Sequence, residues 1–260
     1  MITLTQLRIT IFILGILLFS LLQLAIPRRQ FIKNRLEYML SNLLIVFINN
    51  FVVAMVVLIP LKAAEIAKQN GFGIFHVIRL SPWAVIILSI VILDVTIYFQ
   101  HRIFHKIHFL WKLHSVHHID PMLDTTSGLR FHPLEIIISN FIKVGMVLLI
   151  GAPAFAVFLF EVILSTTAMF NHSNFRIHRG LEKVLRMVLI TPDLHLIHHS
   201  VKRKEMNSNY GFSVPWWDRL FGTYTPEPEV DYKTMPLGIP KMPEKKDILF
   251  PGLLGYPFKK

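Results

Sequence analysis

The chain has 260 residues, 53% of them hydrophobic, and its mean hydropathy of +0.52 is high for a soluble protein of this length. It contains no cysteine, which excludes disulfides, cysteine-ligated zinc, iron–sulfur clusters and thiol nucleophiles. The formal charge of +11 would suit a nucleic-acid partner, but the basic residues flank apolar segments and form no aromatic-studded basic face. We therefore expect a membrane protein and no nucleic-acid partner.

The first apolar segment, residues 4–26, contains one charged residue, Arg8, and is long enough to cross the hydrocarbon layer of a bilayer. Its main positive charge follows it and no small-residue cleavage site precedes Pro27, so we interpret it as a membrane helix and not as a signal peptide. The basic residues that follow predict that this end of the helix is cytoplasmic. They are Arg28, Arg29, Lys33 and Arg35.

A second span is predicted at residues 37–60, ending at Pro60. Its three asparagines are expected to face other helices, because an amide in contact with lipid would lack partners. They are Asn42, Asn49 and Asn50. Residues 61–81 are predicted to form a polar loop, since Asn70, Gly71 and Gly73 disfavour a helix there.

A third span at residues 83–99 leads directly into the first histidine box, His101 and His105. These two residues are one helical turn apart, so both imidazoles project from one face. Asp94 lies seven residues before His101 and therefore on a similar face. An acid at membrane depth predicts either a group that supports the site or a helix–helix hydrogen bond, and the sequence leaves both open.

The second histidine box repeats the one-turn spacing and consists of His114, His117 and His118. A polar connection at residues 124–133 carries His132. The apolar stretch 134–170 is interrupted at Gly151-Ala152-Pro153, which predicts a helical hairpin whose arms are of marginal length for a full span. Whether the hairpin crosses the bilayer or re-enters it, the chain returns to the side that it left.

The third histidine box consists of His195, His198 and His199, and Asp193 is predicted to cap the helix that carries it. Residues 209–224 contain paired tryptophans and suit the membrane interface. Residues 226–260 are rich in proline and lysine and are predicted to lie extended over the cytoplasmic face. We divide the chain into N-terminal membrane helices and a loop at 1–82, a histidine-box domain at 83–225, and the 226–260 tail.

These elements predict an all-α, multi-pass membrane helical bundle with a histidine-rich, two-metal helical cap on the cytoplasmic face. Neutral imidazole is the commonest metal ligand in proteins, and the eight histidines of the three boxes exceed the needs of one ion. The same HxxHH pattern occurs twice, and the second copy begins 77 residues after His118, which argues against chance. The isolated His76, His108 and His178 are interpreted as ordinary surface or core residues.

Two common metal chemistries do not fit the pattern. A catalytic zinc site needs about three protein ligands and a carboxylate base, as in HExxH, and the sequence contains no HExxH. Soluble di-iron proteins use Glu-x-x-His pairs, which are also absent from the sequence. A histidine-rich di-iron centre at the membrane edge, where lipid chains reach it without entering water, is the remaining possibility.

Six short elements resemble the fatty acid hydroxylase/sterol desaturase superfamily of integral membrane di-iron oxygenases. They are HRIFH at 101–105, HSVHH at 114–118, FHP at 131–133, NHSN at 171–174, HLIHH at 195–199 and NYG at 209–211. The resemblance implies nine iron ligands, His101, His105, His114, His117, His118, His172, His195, His198 and His199.

Other residues are assigned lesser roles. His132, Asp94 and Asn171 are candidates for groups that support the ligands. Some members of the superfamily place a further histidine four residues after the one that matches His172. This chain has Arg176 there, and His178 is a weak substitute.

The resemblance also implies the chemistry. Two iron ions, with O₂ as co-substrate, would oxidise an unactivated C–H bond of a lipid, such as a fatty acyl chain or a sterol, to an alcohol or an alkene. Electrons would come from an external reductase or small electron carrier, since the sequence has no dinucleotide fingerprint, haem-attachment motif or cysteine. The alternatives are a membrane zinc hydrolase and a non-catalytic metal-binding or transport protein.

Overall fold

The computed structural model describes residues 3–55 and 59–259. Within these ranges every regular element is a helix, apart from two isolated β-bridges, so the all-α prediction is confirmed. The α-helices are α1 (Leu4–Ala25), α2 (Arg35–Met55), α3 (Pro60–Asn70), α4 (Ile74–Val77), α5 (Pro82–Lys106), α6 (His108–His118), α7 (Pro133–Ile150), α8 (Ala154–His172), α9 (Arg179–Leu185), α10 (Pro192–His198), α11 (Arg203–Met206), α12 (Trp216–Leu220), α13 (Lys245–Ile248) and α14 (Gly252–Gly255).

Among the described residues, five segments are long and apolar enough to cross a membrane. Four of them are α1, α5, α7 and α8, and the fifth lies within Arg35–Val77 and begins with α2. The predicted helical hairpin is confirmed, because Gly151 ends α7 and Pro153 precedes α8. The part of the second predicted span at residues 56–58 lies outside the described residues.

Helix α8 is the centre of the bundle and packs against α1, α3, α5 and α10. Buried apolar side chains of α5, α7 and α8 form the largest core, including Leu93, Val147 and Phe160. The same long helices expose leucine, isoleucine and phenylalanine on their outer faces, as expected where lipid replaces water. The bundle therefore buries its interior and leaves an apolar outer surface.

The prediction of a loop at residues 61–81 is wrong for residues 61–70, which belong to α3. Pro60 does not end the second span but starts α3, where proline at the first turn costs no hydrogen bond. The small apolar residues Ala63, Ala64 and Ala67 lie on one face and are buried, while the charged residues lie on the other. The sequence of α3 is therefore amphipathic. Gly71 and Gly73 led to the prediction of a loop, but both follow the last residue of α3 and do not interrupt it.

Two glycines allow the connection after α3 to touch the turn of the hairpin. Gly73 has φ 101°, and a side chain there would clash with the backbone of Gly151, which itself has φ 69°. Both values lie in the region that glycine adopts without strain. The contact places the end of α3 beside the α7–α8 turn, at the opposite end of α8 from His172.

Two of the three asparagines of α2 are buried and hydrogen-bonded, but their partners lie in the connection between α6 and α7 and not, as predicted, on another helix. Asn42 donates to Asp120 and Thr126, and Asn49 donates to the carbonyl of Phe131. Asn50 is exposed and donates to a carbonyl of its own helix. The two buried amides therefore fix α2 to the segment that follows the second histidine box.

The tail is not simply extended, as predicted, but folds back and packs. It contains α13, α14 and a terminal 3₁₀ turn, and Leu253 is fully buried against Ile45, Val116 and Ile119. Further upstream, Met235 and Leu237 pack against Leu196 of α10. The apolar residues among the prolines and lysines explain this, since they cover helices that carry the histidines.

Candidate metal centre

The nine histidines expected to act as ligands gather into two adjacent groups. His101, His105, His114, His118 and His198 form the first group, and His117, His172, His195 and His199 form the second. Within each group one ring nitrogen from every histidine lies within 4.8 Å of those of the others. Eight of the nine residues are buried and His105 is partly exposed. Either group could therefore hold a metal ion.

Each of the two HxxHH boxes is divided between the two groups. In α6, His114 and His118 are four residues apart and face the first group, whereas His117 faces the second. The third box is divided the opposite way, because His195 and His199 belong to the second group and His198 to the first. The rings of His118 and His199 stack with centroids 4.5 Å apart and join the groups.

Backbone carbonyls fix the orientation of four of the nine ligand rings. The Nδ1 atoms of His101, His198 and His117 lie 2.7 Å, 2.8 Å and 3.2 Å from the carbonyls of Tyr210, Ser208 and Arg130, respectively. A carbonyl only accepts, so Nδ1 carries the proton and Nε2 keeps its lone pair. His172 follows the same rule, with Nδ1 2.7 Å from the Ala168 carbonyl. Metal-bound histidines are held in this manner.

The donor set fits a cation. Nε2 of His172 lies 3.0 Å from Nε2 of His117 and 3.0 Å from Nε2 of His195. Since both His172 and His117 carry their proton on Nδ1, two lone pairs face each other at this distance and repel unless they share a positive ion. In the first group the Nε2 atoms of His101, His114 and His198 are buried and without a hydrogen-bond partner. Both groups therefore suit metal ions.

Burial keeps these imidazoles neutral. It lowers the pKa of His114 to about 3. Burial and the neighbouring imidazoles also lower the pKa of His117, His118, His195 and His199 well below the usual value. A neutral imidazole keeps the lone pair that binds metal, so the site is ready for a cation at neutral pH.

Glu135 is a functional candidate that the sequence analysis missed. It lies in the first turn of α7, only 4% exposed, with Oε1 2.7 Å from Nδ1 of His114. A carboxylate on the second nitrogen of a ligand orients the ring and strengthens its basicity. Glu135 is not separated from any histidine box by three or four residues, so helix geometry does not link it to the site. The only sequence feature that could have indicated its role is the presence of an acid at the start of an apolar helix.

The NYG element supports the first group through its backbone. Asn209 adopts φ 51° and donates to the carbonyls of Leu194 and Thr225. Asp218 accepts hydrogen bonds from the N–H groups of Tyr210 and Gly211. These bonds fix the position of the Tyr210 carbonyl, which accepts from Nδ1 of His101. A side chain at Gly211 would collide with Asp218, so the close approach requires glycine.

A cavity of about 360 Å³ reaches the first histidine group from within the helical bundle. At the metal end it is lined by His101, His114 and Glu135, and Phe104 and Phe131 form its walls. Its apolar lining suits a hydrocarbon chain. A hydrocarbon chain in this cavity would lie beside His101 and His114.

The remaining candidates lie outside the two groups. Asp94 accepts a 2.6 Å hydrogen bond from Trp217, so of the two alternatives the structure contains the bond between elements. Asn171 Oδ1 lies 2.6 Å from Nδ1 of His172, where we expected it. His132 caps α7 by accepting from the N–H of Leu134.

Three residues between the second and third boxes, His178, Arg176 and Asp193, lie outside the two histidine groups. His178 and Arg176 are exposed and lie in neither histidine group. The cap of α10 is Thr191 and not Asp193, because a threonine hydroxyl at that position reaches the N–H of Leu194. Asp193 instead pairs with Arg28 at 2.7 Å.

Asn174, the last residue of the NHSN element, bonds the backbone of Arg29. Like the Arg28–Asp193 pair, this contact joins the basic segment after α1 to the region of the histidines. The basic segment and the histidine boxes therefore lie at the same end of the bundle.

The chain is similar to several known lipid-modifying enzymes. It is 30% identical over 139 residues to ornithine lipid hydroxylase of Rhizobium tropici, covering 54% of this chain and 41% of the relative. It is 30% identical over 179 residues to alkylglycerol monooxygenase of Xenopus tropicalis, covering 66% and 38%. It is 33% identical over 152 residues to Delta(7)-sterol-C5(6)-desaturase of Nicotiana tabacum, covering 57% and 52%.

The chain thus spans from about two fifths to about half of the length of these relatives. No solved structure gives a significant match. The family model described as fatty acid hydroxylase matches residues 86–223, which include all nine clustered histidines and more than half of the chain. With five apolar segments and this match, the chain is a multi-pass membrane protein that belongs to the fatty acid hydroxylase family.

Proposed function

We propose that this chain is a membrane-bound oxidoreductase that uses two iron ions, O₂ and external electrons to hydroxylate or desaturate a C–H bond of a lipid. The two histidine groups would each hold one iron, with the nine clustered histidines as ligands. The observation that carries the proposal is the convergence of neutral imidazoles on two centres beside a membrane-embedded apolar cavity.

The iron pair, when bound, would supply the activation of O₂ that an unactivated C–H bond requires. The residues of the chain do the rest. Backbone carbonyls and Glu135 hold five of the nine imidazoles in the tautomer that presents Nε2 to the metal. Phe104, Phe131 and Phe212 line the cavity near the histidines and exclude water from the lipid carbon.

The relatives support a lipid substrate without identifying it. Their names describe action on an ornithine lipid, an alkylglycerol and a sterol. We propose a lipid for this chain because its cavity is largely apolar and lies between membrane helices.

The test is to express the chain in a host and compare its lipids with those of a host expressing an inactive variant. A gain of one oxygen atom would identify a hydroxylase, and a loss of two hydrogen atoms a desaturase. Protein purified from iron-replete cells should contain about two irons per chain, and product formation should require O₂. Product formed with zinc alone and without O₂ would instead establish the hydrolase alternative.

We further propose that the histidine boxes face the cytoplasm. The support is the basic segment at residues 28–35, which is typical of the cytoplasmic side and lies at the same end of the bundle as the boxes. The α3–α4 connection lies near the opposite end, against the hairpin turn.

Because the chain has no cysteine, single cysteines can report its topology. Cysteines at Lys33, Lys106 and Lys204 should react with a membrane-impermeant maleimide only after permeabilisation, whereas one at Asn70 should react in intact cells. Labelling of Lys106 and Lys204 from different sides would rule out a shared site. Labelling of the three lysine positions in intact cells, with Asn70 labelled only after permeabilisation, would reverse the proposed orientation.

We propose that the electron donor docks at a cleft beside His105, at the end of the bundle that carries the histidine boxes. The cleft is lined by His105, Trp111 and three basic residues, Lys106, Arg203 and Lys241, and no acidic residue is among its described lining residues. The Trp111 ring lies 4.9 Å from the His105 ring and 5.3 Å from the His118 ring. This arrangement suits an acidic electron carrier that approaches the partly exposed ligand.

Reversing the charge of this cleft with Lys106→Glu, Arg203→Glu and Lys241→Glu should slow reduction by an acidic carrier about tenfold or more at low salt. The effect should shrink as salt rises, because screening weakens the attraction. Stopped-flow reduction of the iron-loaded protein measures it. Lys68→Glu on α3 is the control and should change little. Equal rates in the triple variant and the control would place the donor elsewhere.

A further inference from the structure

The end of the cavity far from the histidines contains three ionisable side chains contributed by three membrane helices. Arg8 of α1 forms an ion pair with Glu161 of α8, and Lys143 of α7 lies 3.7 Å from the other oxygen of Glu161. All three line the cavity. Charged residues within membrane segments are costly, and they usually mark a path or site for a polar ligand.

The cluster of Arg8, Lys143 and Glu161 carries one surplus positive charge, since it has two cations and one anion. Arg8 alone would neutralise Glu161. The Lys143 ammonium group adds the surplus, and its distance from Glu161 exceeds that of a hydrogen bond. Its side chain is only 19% exposed. A cluster whose sole role was to join helices would gain nothing from this extra charge.

The position of the cluster relative to the histidines defines a length. Glu161 precedes His172 by eleven residues on α8, which corresponds to about 16 Å along the helix axis. The cavity between the two ends is lined by apolar side chains such as Phe12, Ile97 and Leu164, together with the polar Ser139 and Asn140 of α7. It therefore has a charged end, a largely apolar middle and an end at the histidine groups.

We propose that the Arg8–Lys143–Glu161 cluster binds the anionic group of a lipid substrate, a carboxylate or a phosphate, whose hydrocarbon chain extends to His101 and His114. This rests on the proposed function for the chemistry at the histidine end. The surplus positive charge selects an anionic amphiphile over a neutral one. The fixed separation between the cluster and the histidines then determines which carbon is presented for oxidation.

The test measures binding and not turnover. The purified full chain, in micelles of a neutral detergent, is titrated with palmitate, hexadecyl phosphate and hexadecanol, which share one chain length. We expect at least one of the two anions to bind about tenfold or more tightly than the alcohol. The comparison of palmitate with hexadecyl phosphate identifies the anionic group. Equal affinity for all three probes would overturn the inference.

Single substitutions then test the sign of the effect. Lys143→Gln and Arg8→Gln should each reduce the preference for the anion, whereas Glu161→Gln should strengthen it because the surplus charge grows. Lys62→Gln, on the exposed face of α3, is the matched control and should change nothing. If the cluster only joined helices, the three cluster variants would shift binding in the same direction or not at all, and that result would also overturn the inference.

The two proposals can fail separately. Loss of the binding preference with intact iron content and O₂-dependent product would remove only the role of the cluster. A clear anion preference with no oxidised product would leave the cluster as a lipid site and remove the proposed oxidation.

Discussion

Replacing His172 with alanine is expected to abolish lipid oxidation and to lower the iron content from about two ions per chain to about one. His172 lies in the middle of the second group, with Nε2 3.0 Å from those of His117 and His195. Three histidines would remain there, whereas the five of the first group would be complete. Iron analysis and O₂-dependent product formation on the purified variant measure both effects.

Two histidines provide matched controls. His178→Ala should leave iron and product unchanged, because His178 is exposed and only caps α9. His132→Ala should lower product formation but keep both irons, since His132 caps α7 next to Glu135 and lies in neither group. Loss of iron in His178→Ala together with retention in His172→Ala would show that the ninth ligand was assigned wrongly.

Replacing Glu135 with glutamine is expected to weaken iron binding at the first group by about 10–100-fold and to reduce product formation accordingly. The glutamine oxygen can still accept from Nδ1 of His114, so the ring keeps its orientation. The negative charge of the carboxylate, which raises the basicity of the ring, is lost. Glu135→Ala removes the acceptor as well and should have the larger effect. Competition with a chelator of known affinity measures the loss.

Asp94→Asn is the control for Glu135→Gln, because it neutralises another buried acid of a membrane helix. Asp94 bonds Trp217 and no histidine, and asparagine keeps an acceptor for that bond. Iron affinity should therefore stay at the level of the unsubstituted chain. An equal loss of iron in the two variants would assign the effect of Glu135→Gln to general damage of the bundle and not to His114.

Much of the site follows from local helix geometry and was predictable from the sequence. The one-turn spacings of the boxes place pairs of imidazoles on common faces, and their number indicates two metals. The long apolar segments and the glycine–proline turn at 151–153 predict the spans and the hairpin, which the structure contains. His172 is the last residue of the second arm of the hairpin, which places it beside His117, His195 and His199.

Three predictions from local sequence patterns were wrong, those for residues 61–70, for the tail and for the cap of α10. The alanines of α3 bury a narrow face that glycines nearby concealed, and the tail folds because a few apolar side chains find partners. Thr191 replaced Asp193 as the cap, since both types suit that role and Arg28 competes for the aspartate. Such choices depend on neighbours that are distant in the sequence.

The assignment of each histidine to a metal was decided only by tertiary structure. Spacing places both His117 and His118 about one turn from His114, and it does not identify the helix that lies opposite each ring. Packing of α5, α6, α8 and α10 divides both HxxHH boxes between two centres. The same packing brings Glu135 to His114. This contact could not be predicted from the sequence, because a long-range contact carries no periodic signature along the chain.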